Sequence, residues 1–368
     1  MEECKKNTYQ VISRKYKMGL SEIGKKAKKY TRKIVRRGAN FLIPTGVVLM
    51  YHRIAEVKVD PWELSVSPDH FREQLDYLKL YTNVWRLDDY VHALRSGSLP
   101  NRAVVITFDD GYADNLSTAV PMLRKAGLPA TFFIVTGAVG QTGEFWWDDL
   151  ERCVLRSSVH PIRLLDELSS VVGLDLVQPG SGREGEWDAL GKRSETVEAF
   201  RRALYRQIWQ FAATLSPQSR SRFLDRVREA SDTPASARPT HRTLTEDELV
   251  SLSRVPGMDV GAHGVTHTPF TALPLQEQRR EIAESRSWLE ENIDQTVETF
   301  SYPNGALDDE TVMLLEEEGF SAACSTEEGL ASYGTRPLML PRLQVPDVKG
   351  KEFERWVEEV LNYTPVFR

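Results

Sequence analysis

Apolar residues fall into short runs set between helix-period stretches. Val47–Tyr51, Val104–Phe108, Pro129–Val135 and Phe320–Ser325 carry consecutive apolar or β-branched residues, and Gly257–Ala262 and Val297–Tyr302 carry interrupted ones; all six read as strands. Between them the period changes. Ser67-Pro68 starts a helix whose apolar face is Phe71, Leu75 and Leu78, with serine as N-cap and proline at the first position. Trp85–Leu94 reads as a short helix, and Tyr112–Ala126 as a helix stopped by Gly127. Thr245 and Glu248 form a capping box for a helix over 245–255. Leu275–Asn292 turns Ile282, Trp288 and Leu289 inward; Asp308–Glu318 ends at Gly319, and Phe353–Leu361 is a last helix. Alternation of strand and helix at this spacing predicts parallel βαβ units and an α/β barrel. From about 146 to 243 the strand signal fades. Helical stretches at 147–156 and 194–215, the latter with Phe200, Leu204, Ile208, Trp209 and Phe211 as its apolar residues, predict a helical insertion in one barrel loop rather than an independent domain.

One strand ends in chemistry. Val104-Val105-Ile106-Thr107-Phe108 runs into Asp109-Asp110-Gly111, two adjacent acids and a turn glycine. Neighbouring carboxylates at a strand end repel each other, and burying either is costly without a partner or a cation. A helix N-cap or a solvated loop start is the plain alternative. A metal resolves the conflict if one acid ligates it and the other serves as a base. Further ligands are present: His263 and His267, four residues apart, would lie on one face of a helical turn and reach one ion. With Asp110 they would form an Asp/His/His set that leaves coordination positions open. Alone, the histidine pair reads better as two exposed helix residues or a local pair.

Thr107-Phe108-Asp109-Asp110-Gly111, the His263/His267 pair and Phe300-Ser301-Tyr302-Pro303-Asn304-Gly305 resemble, in order, the first three motifs of the polysaccharide deacetylases, the NodB-homology group of carbohydrate esterase family 4. Val48-Leu49-Met50-Tyr51-His52-Arg53 and Leu340-Pro341-Arg342 resemble further segments of that family, and their order resembles its circularly permuted branch. The resemblance implies a distorted (β/α)7 barrel over 44–348, interrupted by the helical insertion, with a C-terminal helix over 349–368. It implies that Asp110, His263 and His267 bind a divalent metal, Zn2+ first. Asp109 would act as base, His52 as general acid, and the backbone N–H of Tyr302 would join the metal in stabilising the oxyanion. Arg342 would orient Asp109, or else contact a phosphate or carboxylate, or form a structural ion pair. Two positions depart from the pattern. Gly264 stands where Ser or Thr is usual, which removes one loop-bracing hydrogen bond, and Asn304 stands where a larger aromatic is common. The implied activity is hydrolysis of the N-acetyl group of an N-acetylhexosamine-containing glycan or glycolipid. An O-acetyl carbohydrate esterase and a non-catalytic glycan-binding barrel are the alternatives. Trp146 and Trp147 would then either stack on a sugar ring or belong to the core.

Composition adds an asymmetry. The net charge of −6 hides 13 Lys/Arg against 3 Glu in residues 1–40, which leaves −16 for the remainder. Within the basic segment 1–43, residues 21–42 read as a basic helix that would lie on an anionic membrane surface, or as a solvated tail. The acidic remainder argues against a nucleic-acid partner. No apolar run reaches the roughly 18–20 residues of a membrane span, and Met1 is not followed by an apolar signal region. Cys4, Cys153 and Cys324 are odd in number and far apart, so no disulfide framework or thiolate zinc site is expected. These features point to a cytoplasmic chain, peripheral at the inner membrane face, with a glycan or a lipid-linked sugar as substrate.

Overall fold

The computed structural model describes residues 45–172 and 197–361. The basic segment, including the helix expected over 21–42, lies outside the described residues. The chain divides into two compact units.

The first unit is the barrel. Thr45–Tyr51 (β1), Ala103–Phe108 (β2), Ala130–Ile134 (β3), Met258–Ala262 (β4), Thr299–Ser301 (β5) and Ala322–Cys324 (β6) pair in that order, all parallel. Every residue of β2 is buried, as expected for a parallel strand covered on both faces. The ring closes through the segment that carries Arg342. Leu340 bridges Cys324, and Leu343–Gln344 (β7) pairs parallel with Leu49 and Met50 of β1. Seven parallel members thus curl around one core, as the distorted seven-stranded barrel requires. Two short strands extend the sheet. Ala331–Ser332 runs antiparallel to β1, and Asn83–Trp85 parallel to β2. Trp85 therefore closes a strand and does not open a helix: the helix there is Leu87–Ser96 (α2), with Pro68–Tyr81 (α1) before it. Register matters most at the rim. Tyr51 pairs with Phe108 and Ile134 with Ala262, so His52 follows β1 where Asp109 follows β2, and His263 follows β4. The C-terminal ends of parallel barrel strands are where such folds place their chemistry.

Outside the sheet, Val120–Ala126 (α3) is preceded by a π-helical turn at Asn115–Ala119. Gly127 at φ 73° is the expected stop.

The second unit is helical: Trp146–Leu155 (α4), Pro161–Val172 (α5), Val197–Ala213 (α6) and Pro217–Ala230 (α7). It forms a compact unit of its own, where the sequence suggested only an elaborated loop. It ends at Ala235 rather than near 243, because the following residues belong to the barrel: Tyr112 bridges Thr243, and the Leu244 N–H donates to the Gly111 carbonyl at 3.0 Å. Trp147 is buried. Trp146 stacks on Trp209 at 5.6 Å and lies under the Arg220 guanidinium, so the aromatic pair serves the core of this unit.

Glu246–Ser253 (α8) carries the expected capping box. Leu275–Ile293 (α9), Asp309–Glu317 (α10) and Gly350–Leu361 (α11) complete the barrel unit. Among the described residues no helix is long and apolar enough to cross a membrane.

Candidate active site

The turn after β2 separates the two acids. Asp109 continues the sheet, donating its N–H to the Tyr51 carbonyl at 3.0 Å. Asp110 then takes φ 77° and Gly111 φ 86°. A left-handed aspartate is an uncommon state that costs energy and persists where the surroundings hold it. Here Val135 donates its N–H to the Asp110 carbonyl and Leu244 to that of Gly111. Seven described non-glycine residues have positive φ, and Asp110, His267 and Asn304 are three of them. Each of the three motifs that the sequence singled out therefore holds one such residue.

Asp109 faces Arg342. Nη1 donates to Oδ1 at 2.7 Å and Nη2 to Oδ2 at 2.6 Å, a bidentate pair with both side chains buried. The remaining guanidinium hydrogens also find acceptors. Nε donates to the Ser325 carbonyl at 2.8 Å, Nη1 to Thr107 Oγ1 at 3.1 Å and Nη2 to Ser301 Oγ at 2.8 Å. The Ser301 hydroxyl donates in turn to Asp109 Oδ2 at 3.2 Å. All five donors of the guanidinium are used. Burial alone would raise the Asp109 carboxyl; the Arg342 and His263 charges overcome it and hold the group well below the usual carboxylate range. Of the three readings left open for Arg342, the geometry supports the tether to Asp109.

Asp110 looks the other way. Its Oδ1 lies 3.6 Å from His263 Nε2 and 3.4 Å from His267 Nε2. It is buried with no hydrogen-bond partner. The three donor atoms lie within 4.8 Å of one another. Tetrahedral zinc ligands at about 2.0–2.2 Å from the ion are about 3.3–3.6 Å apart, so these spacings suit a divalent cation. The His263 ring is oriented from behind: Nδ1 donates to the Ser301 carbonyl at 2.6 Å, which leaves Nε2 as the lone-pair donor facing Asp110. Burial pushes the His267 imidazole down to about 3, so it is neutral, as a ligand must be.

The histidine pair does not lie on a helix. His263 follows β4, and Gly264 (φ 74°) and His267 (φ 54°) turn the chain through a loop. Two left-handed residues three apart exclude a helical turn. Both rings still meet, their centroids 4.9 Å apart. The loop is fastened from both sides. Thr136 and Gly137 donate their N–H groups to the carbonyls of Gly264 and Val265 at 3.1 and 3.0 Å. A β-carbon at Gly137 would fall 2.5 Å from the Val265 oxygen, so only glycine permits this approach. Glu281 on α9 accepts from the amides of Val265 and Thr266.

His52 lies close enough to bear on the charges of Asp109, Asp110 and His267. Asn115 Nδ2 holds its carbonyl at 2.8 Å, and Asp114 Oδ1 accepts the next-but-one amide, Ile54, at 3.0 Å. The Nδ1 of His52 is buried without a hydrogen-bond partner. One expectation fails: the Tyr302 N–H donates to the Cys324 carbonyl at 3.0 Å as part of the sheet, and its hydroxyl to the Leu338 carbonyl at 2.8 Å. An amide already spent between two strands has no proton left for an oxyanion.

The polysaccharide deacetylase family pattern matches residues 96–161 and 232–323, the stretches that hold Asp109, Asp110, His263, His267 and Ser301. The chain belongs to the polysaccharide deacetylases. The deacetylase is 28% identical over 316 residues to the protein named "Putative polysaccharide deacetylase YxkH" of Bacillus subtilis (strain 168); the match covers 85% of this chain and 76% of that one. It is 34% identical over 106 residues to the poly-beta-1,6-N-acetyl-D-glucosamine N-deacetylase of Staphylococcus aureus (strain MSSA476), covering 28% of the deacetylase and 34% of the staphylococcal enzyme. The fold is shared with IcaB from Ammonifex degensii at a TM-score of 0.55 and 17% identity, over 86% of this chain and 97% of that one. As a deacetylase it is a hydrolase. Glu281 was not singled out from the sequence, where it reads as one more charge on the polar side of an amphipathic helix; its distance from the loop in the chain hid it.

Proposed function

We propose that the chain is a metal-dependent de-N-acetylase acting on an N-acetylhexosamine-containing glycan, with zinc as its metal. The observation that carries this reading is the unequal treatment of two neighbouring acids: Asp109 is fully hydrogen-bonded to Arg342 and Ser301, while Asp110 Oδ1 is buried, unpaired and aimed between two imidazoles. Hydrolysis of a carbon–nitrogen bond requires a base for water and an acid for the amine, and the barrel rim supplies a candidate for each.

Asp110, His263 and His267 would hold the ion. Bound there, a divalent cation polarises the acetyl carbonyl and lowers the pKa of a water. Asp109 remains ionised at neutral pH and takes the proton of the attacking water, fixed in place by Arg342. His52, on the neighbouring strand end, gives a proton to the departing amine. An amine leaves poorly unless protonated, whereas an alkoxide leaves with less help. The likeness of residues in this chain to part of an N-deacetylase of a β-1,6-linked N-acetylglucosamine polymer supports the amide over the ester.

The test is acetate release from N-acetylglucosamine oligosaccharides and from an acetyl ester, with zinc and with a chelator. Zinc-dependent acetate from the amide is expected. His52→Ala should lower the amide rate by about 10²–10⁴-fold and the ester rate by less. Acetate from the ester alone, or release that chelation leaves unchanged, contradicts the reading.

A further inference from the structure

The loop between His263 and His267 has no regular hydrogen bonding of its own, and one distant carboxylate replaces it. Glu281, buried on α9, accepts from the Val265 N–H at 2.7 Å and the Thr266 N–H at 2.9 Å through Oε2, and from the Thr266 hydroxyl at 2.7 Å through Oε1. Thr266 Oγ1 also meets Thr268 Oγ1 at 2.8 Å. Both amides belong to the residues immediately before His267. Gly264 faces the same carboxylate: a β-carbon there would stand 3.1 Å from Glu281 Oε2, at a φ of 74° that side chains rarely adopt. The glycine and the glutamate therefore fit each other: a side chain at that position would push the carboxylate back by a few tenths of an ångström.

We propose that Glu281 is a positioning residue for the metal centre, holding His267 in its left-handed conformation so that Nε2 meets Asp110 without rearrangement when the ion arrives. This rests on the metal reading of Asp110, His263 and His267. A carboxylate taking two convergent amides does for this loop what an anion does in a nest of N–H groups. Groups that orient ligands from behind set metal affinity, with losses of about 10–100-fold when removed.

The same helix supplies the control. Glu290 accepts the Val297 N–H at 2.9 Å and pairs with Arg286 at 3.0 Å, fastening the far end of α9 to the strand that follows. The experiment measures zinc affinity by competition with a chromophoric chelator, beside the thermal midpoint of the metal-free protein. Glu281→Ala should bind zinc about 10–100-fold more weakly. Thr266→Val, which removes one donor and keeps the amides, should show a smaller loss and serves if Glu281→Ala does not fold. Glu290→Gln should lower the midpoint and leave zinc affinity unchanged. Zinc affinity equal to wild type in Thr266→Val and in any folded Glu281→Ala overturns the inference and leaves the metal reading standing. A wild-type chain that takes up no zinc overturns both.

Discussion

On the Asp109 side of the site, every hydrogen-bonding atom of the base and its arginine has a protein partner: Asp109 meets Arg342 and Ser301, and Arg342 also meets Thr107 and the Ser325 carbonyl. On the Asp110 side the surrounding protein satisfies the back of the His263 ring and the loop amides. Asp110 Oδ1 is left buried and unpaired between two imidazole nitrogens. Both acids come from one turn, so the difference does not come from depth or strand. It comes from what each faces. A closed web stabilises a charge where it is. An open one, with its donors at ligand spacing, is incomplete without a ligand.

Substitutions should separate the two sides. The largest effect on folding is expected from Arg342→Met. Removing one member of a buried pair leaves the other charge uncompensated, at about 3–5 kcal/mol. Urea unfolding should show that loss in metal-free protein, while zinc uptake by the folded fraction persists. A variant as stable as wild type would mean that the web is not closed as described. Asp110→Ala should behave in the opposite sense. Metal-free stability should change little, since burial disfavours the Asp110 carboxylate while His263 and His267 favour it and leave its carboxyl lowered. The stabilisation that zinc confers on wild type, about 2.7 kcal/mol at a concentration 100 times its dissociation constant, should vanish. Thermal melts with and without zinc read both.

The smallest effect sharpens the comparison from outside the site. Arg242 and Glu248 form the same two-pronged pair, at 2.6 and 2.7 Å, but in partial contact with water. The Arg242 hydrogen bond lowers the Glu248 carboxyl against some burial, with the Thr245 amide helping. A lowered carboxylate contributes stability that is full above its unfolded value and lost as pH falls through its folded value. Glu248→Gln should therefore cost about 0.5–1 kcal/mol at pH 7, discounted for solvent. The difference from wild type should shrink as pH falls through that lowered value. Equal losses at pH 7 from Glu248→Gln and Arg342→Met would remove the distinction between buried and exposed pairs.

What the sequence made legible follows from where physics is local. β2 is apolar without interruption because both its faces are covered, so the strand and its terminal acids stood out together. The Thr245 and Glu248 capping box and the Ser67 cap recur as expected, because caps depend on a few neighbouring residues. Arg342 could be linked to Asp109 only through resemblance, since 233 residues separate them. Two readings failed where distant parts decide. His263 and His267 share helical spacing, yet Gly264 and the pull of Glu281 set them on a loop. The Tyr302 amide was spent on β6, a pairing invisible until the strands are in order. Helix α7 shows only Phe223, Leu224 and Val227 as a thin apolar stripe among charges, too weak a period to stand out.

The most direct test of the division of labour between the two acids is zinc content and acetate release in Asp109→Asn, compared with Asp110→Asn, on an N-acetylglucosamine oligosaccharide. The account predicts that Asp109→Asn retains one zinc and loses about 10²–10⁴-fold in rate, while Asp110→Asn loses both zinc and activity. Loss of zinc from Asp109→Asn, or undiminished acetate release by it, would contradict the assignment of base and ligand.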